Sequence, residues 1–335
     1  MEIEFQHCQS AHCENGVISN LLRHHNLHIS EPMVFGIGSG LFYVYLPFIK
    51  INHTPTASFR TLPGSIFKRI ASRLKIKIKR QKFNSKKKAM IALDKTLETG
   101  RPVGLQVGAY HLSYFPPAYR FHFNAHNVVV YGKKDDQYLI SDPVMEHPTS
   151  LTSEELVRVR FAKGAFAPNG HMYYPVGVHE EIDLKTAIIK GIKNTCREML
   201  KIPVPIAGVR GIRFFSKQVK KWLSKHGSEK AARYLGQMVR MQEEIGTGGG
   251  GFRFIYAAFL QEANEVLKMK MLDDLSEEMT QAGDLWREFA ITAARIYKKR
   301  YSADQQNFDQ AADKLLTIAD LEEAVFKKLA KLRFD

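Results

Sequence analysis

The sequence predicts an α+β protein, with a mixed domain built on an antiparallel sheet followed by an all-α domain. Three observations carry that expectation. β-Branched and aromatic runs at 103–107, 127–131 and 137–141 lie between turn residues, as paired strands do. From Asp183 onward every long segment repeats its apolar residues at helical spacing. The 335 residues also exceed one typical domain, so two are expected, at 1–178 and 179–335, with the boundary near 176–182.

Taken in order, Glu14 to His25 reads as an amphipathic helix with Val17, Ile18, Leu21 and Leu22 on one face. Gly-rich and aromatic segments follow through Phe48, and Pro63-Gly64 marks a turn. Leu74 to Lys79 alternates apolar and basic residues and predicts a half-exposed strand. Lys86 to Leu97 is helical, closed by Gly100 and Pro102. A short helix is expected near 153–160, with Thr152 or Ser153 as its cap. In the second domain Ile188, Ile192, Cys196 and Met199 form one stripe, which makes Cys196 a core residue. Phe252, Ile255, Tyr256, Phe259, Leu260, Ala263, Val266 and Leu267 form another.

A hairpin brings chemistry-bearing residues together. The run Val128 to Tyr131 is broken by Gly132-Lys133-Lys134-Asp135-Asp136 and resumed at Tyr138, which predicts two strands joined by a five-residue turn. With Tyr131 paired to Gln137, His126 lies opposite Asp142. Directly opposed residues share a face with Cβ atoms about 4.5–5.5 Å apart, close enough for a carboxylate to orient an imidazole. Cys13, at the start of the first helix, supplies the third member. A thiolate there is stabilised by the helix N-terminus and by a neighbouring imidazolium. The bland alternative is that Cys13 is a small buried apolar group.

Bulk properties narrow the setting. A hydrophobic content of 44% with 25% charged residues describes a globular protein. The longest apolar stretch, Val34 to Ile49, is interrupted by Gly36, Gly38, Ser39 and Gly40, so no membrane span is expected. The acidic start Met1-Glu2-Ile3-Glu4 does not read as a signal peptide. Three cysteines make no disulfide framework, and a cytoplasmic, reducing setting is expected. The net charge is +15. Residues 1–178 hold 22 Lys and Arg against 12 Asp and Glu, a balance of +10, and 68–88 holds eleven basic residues and no acidic one. Such a field attracts an acidic macromolecule. With Phe67 and Phe83 as its only aromatics the stretch lacks a stacking platform, so nucleic acid is not the expected partner.

Other clusters carry weaker signals. His7-Cys8 and His12-Cys13, near His24, His25 and His28, lack a second cysteine pair, so no metal is expected. Tyr110, His111, Tyr114 and His122 are candidates to line a substrate cleft, the alternative being aromatic loop packing. Gly246, Thr247, Gly248 and Gly249, with Arg253 close behind, precede a helix and are candidates to hold a phosphate. They lack the Lys-Ser/Thr of a phosphate loop, and a flexible connection or tight helix packing is the alternative.

Several blocks together resemble a known family. His12-Cys13-Glu14-Asn15 and Ile29 to Gly38, then Tyr110 to Tyr114, Asn124 to Val130 and Asp142-Pro143, are similar to the N-terminal family of butirosin-biosynthesis protein H. The segments around Gly246 to Gly249 and Phe252 to Ala263 resemble the uncharacterised helical domain that often follows it. The resemblance implies a papain-like fold, similar also to bacteriocin-processing cysteine peptidases, with Cys13, His126 and Asp142 as active residues. It implies transfer of an acyl group from an acyl carrier protein thioester to an amine. The partners are then an acidic carrier protein, which brings its own phosphopantetheine, and a small-molecule amine acceptor; no cofactor of the chain itself is expected. Papain-like enzymes often place an oxyanion-hole Gln six residues before the Cys. That position is His7 here, flanked by Gln6 and Gln9 as further candidates. The alternatives are a peptidase or amidase using the same triad, and a non-enzymatic binding module acting through 68–88.

Overall fold

The computed structural model describes residues 1–51, 53–177, 182–244 and 246–334. The elements run α1 (Cys13–His24), α2 (Glu31–Ile37), β1 (Leu41–Ile51), β2 (Thr54–Arg60), α3 (Ser65–Arg73), β3 (Lys77–Gln81), α4 (Lys86–Leu97) and β4 (Val103–Val107). Then come β5 (His126–Lys134), β6 (Gln137–Ser141), β7 (Thr149–Thr152), α5 (Ser153–Arg160) and β8 (Met172–Gly177). Six helices follow: α6 (Leu184–Lys201), α7 (Gly208–His226), α8 (Ser228–Val239), α9 (Arg253–Leu267), α10 (Met271–Tyr297) and α11 (Gln305–Lys331). Two compact units emerge, one of Met1–Val34 with Phe67–Ile182, the other of Phe35–Ile66 with Asp183–Asp335.

The first unit is an antiparallel sheet in the order β3-β8-β4-β5-β6-β7. α1 packs against β4, β5 and β8 through Val17, Ile18, Leu21 and Leu22, all buried. The alternate residues of the sheet (Val103, Leu105, Val107, Val128, Val130 and Ile140) pack with Leu93 and Leu97 of α4 and Leu156 and Val159 of α5. α1 thus carries a cysteine at its first residue and lies on the antiparallel sheet. α5 starts where expected, with Thr152 and Glu155 forming a reciprocal capping box.

The hairpin differs from its expected form in a way that matters for the site. Its turn is two residues, Asp135-Asp136, with Asp135 at φ +53°, so Lys134 pairs with Gln137 rather than Tyr131. Carried without interruption, that register sets Asp142 opposite Val129 and turns it away from the His126 face. A β-bulge between Val130 and Gly132 removes one residue from the count, after which Val129 faces Ser141. Asp142 then falls across from Val128, on the same alternation as His126 and one diagonal step from it. Diagonal neighbours remain within reach of an aromatic side chain. The expected contact is therefore made, by a different register and with a bulge.

Two further readings change. Leu74 is the last buried residue of the α3 face that also carries Ile66 and Ile70, and Lys75 at φ +52° ends that helix. The strand starts only at Lys77, because the helical period absorbs Leu74 before the apparent alternation begins. The expected cut between 178 and 179 falls on residues outside the described ones. Each unit is also discontinuous. Residues 35–66 group with the helices because Tyr43, Tyr45 and Phe59 of the β1–β2 hairpin pack on Phe215, Trp222 and Trp286.

The second unit is otherwise helical. Buried aromatics surround an ion pair with no solvent access, in which Arg253 Nε donates to Glu322 Oε1 at 2.8 Å and Nη2 donates to Oε2 at 2.9 Å. Trp286 Nε1 donates to the same carboxylate at 2.7 Å. Cys196 is buried, and burial pushes its thiol up to about 12.

Candidate active site

Every group of the candidate triad lies in the first unit. Cys13 is the first residue of α1 and is buried. Its own N–H lies in the first turn, where no intrahelical acceptor exists. Two hydrogen bonds fix the segment before it: Ala11 N–H donates to Glu31 Oε2 at 2.9 Å and His12 N–H to Glu31 Oε1 at 2.8 Å. Burial raises the Glu31 pKa against the opposing effect of those two bonds. Gly16, one turn on, permits close approach. A Cβ there would lie 2.5 Å from the Pro143 Cβ and 2.7 Å from the Ser10 side chain, so any larger residue would push α1 off the segment that follows Asp142.

His126 is buried, and its Nε2 lies 2.7 Å from Asp142 Oδ2. The other ring nitrogen, Nδ1, is left for the cysteine sulfur. Burial pulls the His126 pKa down, but the charges of Asp142 and Cys13, and hydrogen bonds to both, outweigh it and push the value up to about 10. Asp142 and Cys13 thus both favour the protonated imidazole. The Phe115 ring meets His126 edge-on at 5.2 Å and shields the pair from water.

Asp142 has no solvent exposure and accepts three hydrogen bonds. Besides His126, Tyr114 donates its hydroxyl to Oδ2 at 2.8 Å and Val144 N–H donates to Oδ1 at 3.1 Å. Tyr114, a cleft candidate in the sequence, is therefore a positioning residue for Asp142. Tyr114→Phe removes one bond to a buried carboxylate, worth about 1.5–3 kcal/mol when charge-assisted. It is expected to lower kcat roughly tenfold with little change in KM, measurable by steady-state kinetics. Arg120 holds this loop by donating from Nε to the Phe115 carbonyl at 2.8 Å.

The oxyanion candidates are not brought together. Gln6 and Gln9 are exposed. His7 Nε2 donates to the Met145 carbonyl at 3.1 Å and Nδ1 lies 2.8 Å from Ser141 Oγ. Both His7 nitrogens thus bind the segment that carries Asp142. Tyr110, His111 and His122 form an exposed cluster, with Tyr110 and His122 stacked at 4.0 Å.

The glycine-rich candidate belongs to the second unit and is spent internally. Gly246, Gly248, Gly249, Gly250 and Gly251 all have positive φ. Gly250 N–H donates to the Glu243 carboxylate at 3.1 Å and Gly249 N–H to Thr247 Oγ1 at 3.0 Å. Arg253 is held by Glu322. Of the candidates Gly246, Thr247, Gly248, Gly249 and Arg253, the Gly249 N–H is thus taken by Thr247 and Arg253 by Glu322, while Glu243 binds the neighbouring Gly250.

Sequence reasoning missed Glu31, Phe115 and Ser141. Only Glu31 had a local signal, an acid just before Pro32 at a helix start, and nothing local links it to residues 11–12. Among the described residues, no group of three or more His, Cys, Asp and Glu could hold a metal ion, and no helix is long and apolar enough to cross a membrane.

Residues 12–143 match the model of the family described as butirosin biosynthesis protein H, N-terminal. Residues 154–329 match that of a domain of unknown function, DUF4872. A crystal structure named for a C39-like peptidase from Bacillus anthracis is similar over 54% of this chain and 100% of that chain, at 13% identity and a TM-score of 0.36. No curated protein matches the chain in sequence.

Proposed function

The chain belongs to the DUF4872 family, with an N-terminal region of the butirosin-biosynthesis-protein-H family, and on that premise we propose that it is a cysteine acyltransferase. It takes an acyl group from a carrier-protein thioester and passes it to an amine. The observation that carries this reading is the imidazole of His126, held between a buried carboxylate and a cysteine at a helix N-terminus.

Each step follows from that geometry. The Cys13 thiolate attacks the thioester carbonyl, and the new C–S bond leaves an oxyanion facing the Cys13 N–H at the positive end of α1. Collapse breaks the bond to the carrier sulfur, which takes the proton from His126. The amine then attacks the acyl-enzyme, and neutral His126 accepts its proton as Cys13 leaves as thiolate. Asp142 fixes the ring orientation and stabilises the imidazolium, the role of the acid in such triads. A thioester is already activated, so positioning and exclusion of water dominate over raw rate enhancement.

The test is intact-mass spectrometry of the protein mixed with carrier protein bearing short aliphatic, aminoacyl or aromatic thioesters. An adduct of acyl mass on Cys13, discharged faster by added amines than by water, supports the reading. Its absence with all three donors would overturn it, and discharge by water alone would favour a hydrolase.

The pH dependence follows from His126. Its folded value lies above 6.5, so its charge contributes stability that is complete below pH 6.5 and disappears as pH rises towards about 10. The stability advantage of the wild type over Asp142→Asn is expected to narrow across that interval in denaturant titrations at stepped pH. The alkaline limb of the kcat/KM profile is expected in the same region.

A further inference from the structure

Much of the excess positive charge of the first unit lies along α3 and β3. Lys68, Lys75, Lys77, Lys79, Arg80 and Lys82 are exposed along α3 and β3, and none makes an ion pair among the described residues. β3 is the edge strand of its sheet, so among the described residues no further strand covers it on that side. Between α3 and β3 runs a groove of about 230 Å³ with an apolar floor of Phe67, Ile76 and Ile78 and a rim of Lys68 and Arg80. The positive field reaches inward: burial, reinforced by Arg80 and Lys82, pulls the pKa of His171 down to about 4.

This face is tied to the nucleophile. Phe67, in the floor of the groove, donates its N–H to Glu14 Oε1 at 3.2 Å, and Glu14 follows Cys13 in the first turn of α1. The Phe67 ring also packs on Tyr173 at 4.5 Å. A partner bound on α3 and β3 therefore rests against the element that positions the thiol. Nucleic acid fits less well. Phe67 is buried with Arg80 over its ring, and Phe83 is half-buried in the core, so neither offers a stacking face.

We propose that the α3–β3 face docks the acidic protein that presents the acyl thioester, with the basic rim steering encounter and the groove beside Phe67 orienting the donor towards Cys13. This rests on the acyl-transfer reading above. Charge on the rim of an interface acts chiefly on association rate and its salt dependence.

The experiment compares two donors of one acyl group, an acyl carrier protein loaded through its phosphopantetheine thiol and the matching N-acetylcysteamine thioester, which has no protein to dock. In the triple variant K68E/K75E/K79E, confirmed as folded by an unchanged melting temperature, acylation of Cys13 by the carrier is expected to slow by at least about tenfold at low salt. The small thioester should react within about twofold of the wild-type rate. In the wild type, added salt should slow the carrier reaction and leave the small thioester untouched. A variant that accepts acyl groups from the carrier at the wild-type rate overturns the docking face while leaving acyl transfer standing. Loss of oligonucleotide binding in that variant, with carrier acylation unchanged, overturns it in favour of nucleic acid. Absence of adduct from either donor on the wild type overturns the acyl-transfer reading, and the docking face with it.

Discussion

Cys13→Ala is expected to abolish the acyl-enzyme and to lower turnover by a factor on the order of 10⁴ or more, as loss of a nucleophile does where the other groups act through it. The fold should survive. Cys13 is a small side chain at the first residue of α1, and the helix start is held by His12, Glu31 and Asn15 through backbone groups that the substitution leaves alone. An equal adduct on the alanine variant would place the chemistry elsewhere. His126→Ala should cost nearly as much, and the double variant little more, because sulfur and imidazole act as one unit. Asp142→Asn should cost less, up to about 10⁴-fold, since the amide still fills the site but stabilises the wrong ring tautomer.

The second large effect is on stability, in the helical unit. Glu322→Gln leaves the Arg253 guanidinium buried without its counter-charge, and is expected to destabilise that unit by about 3–5 kcal/mol. Three donors meet at Glu322, two from Arg253 and one from Trp286, so the loss extends beyond one contact. Cys196 offers a direct reporter: it is buried in the same unit, and its maleimide labelling should accelerate in the variant as that unit opens more often. The paired change Arg253→Met with Glu322→Leu removes both charges and is expected to recover most of the loss, because apolar residues of similar volume often replace a buried ion pair without penalty. If Glu322→Gln melts and labels as the wild type does, the pair contributes nothing to holding the unit together.

Much of the site was legible in the sequence because it depends on local pattern. The α1 stripe placed Cys13 at a helix start, and the strands at 103–107 and 137–141 emerged with the expected bounds. His126 and Asp142 were paired through a register that was two residues off, and the contact survived because an even shift preserves side-chain alternation. An odd shift would have lost it, and the two-residue turn alone produces one. The bulge at Tyr131 restores the parity, and no residue in that stretch announces it.

Thus composition and period determined the class of the protein, its helices, most of the central strands and the three residues that carry the proposed chemistry. Only tertiary structure decided how they are supported. Glu31 reaches back twenty residues to Ala11 and His12, Tyr114 turns from the cleft to Asp142, and His7 binds Ser141 and Met145. It also decided that the β1–β2 hairpin belongs with the helices and that Glu243 fills the glycine-rich turn. The reason is physical. Periodicity states which face of an element is buried, whereas a buried polar group takes whichever partner the folded chain brings within hydrogen-bonding distance, and sequence spacing carries no record of that meeting.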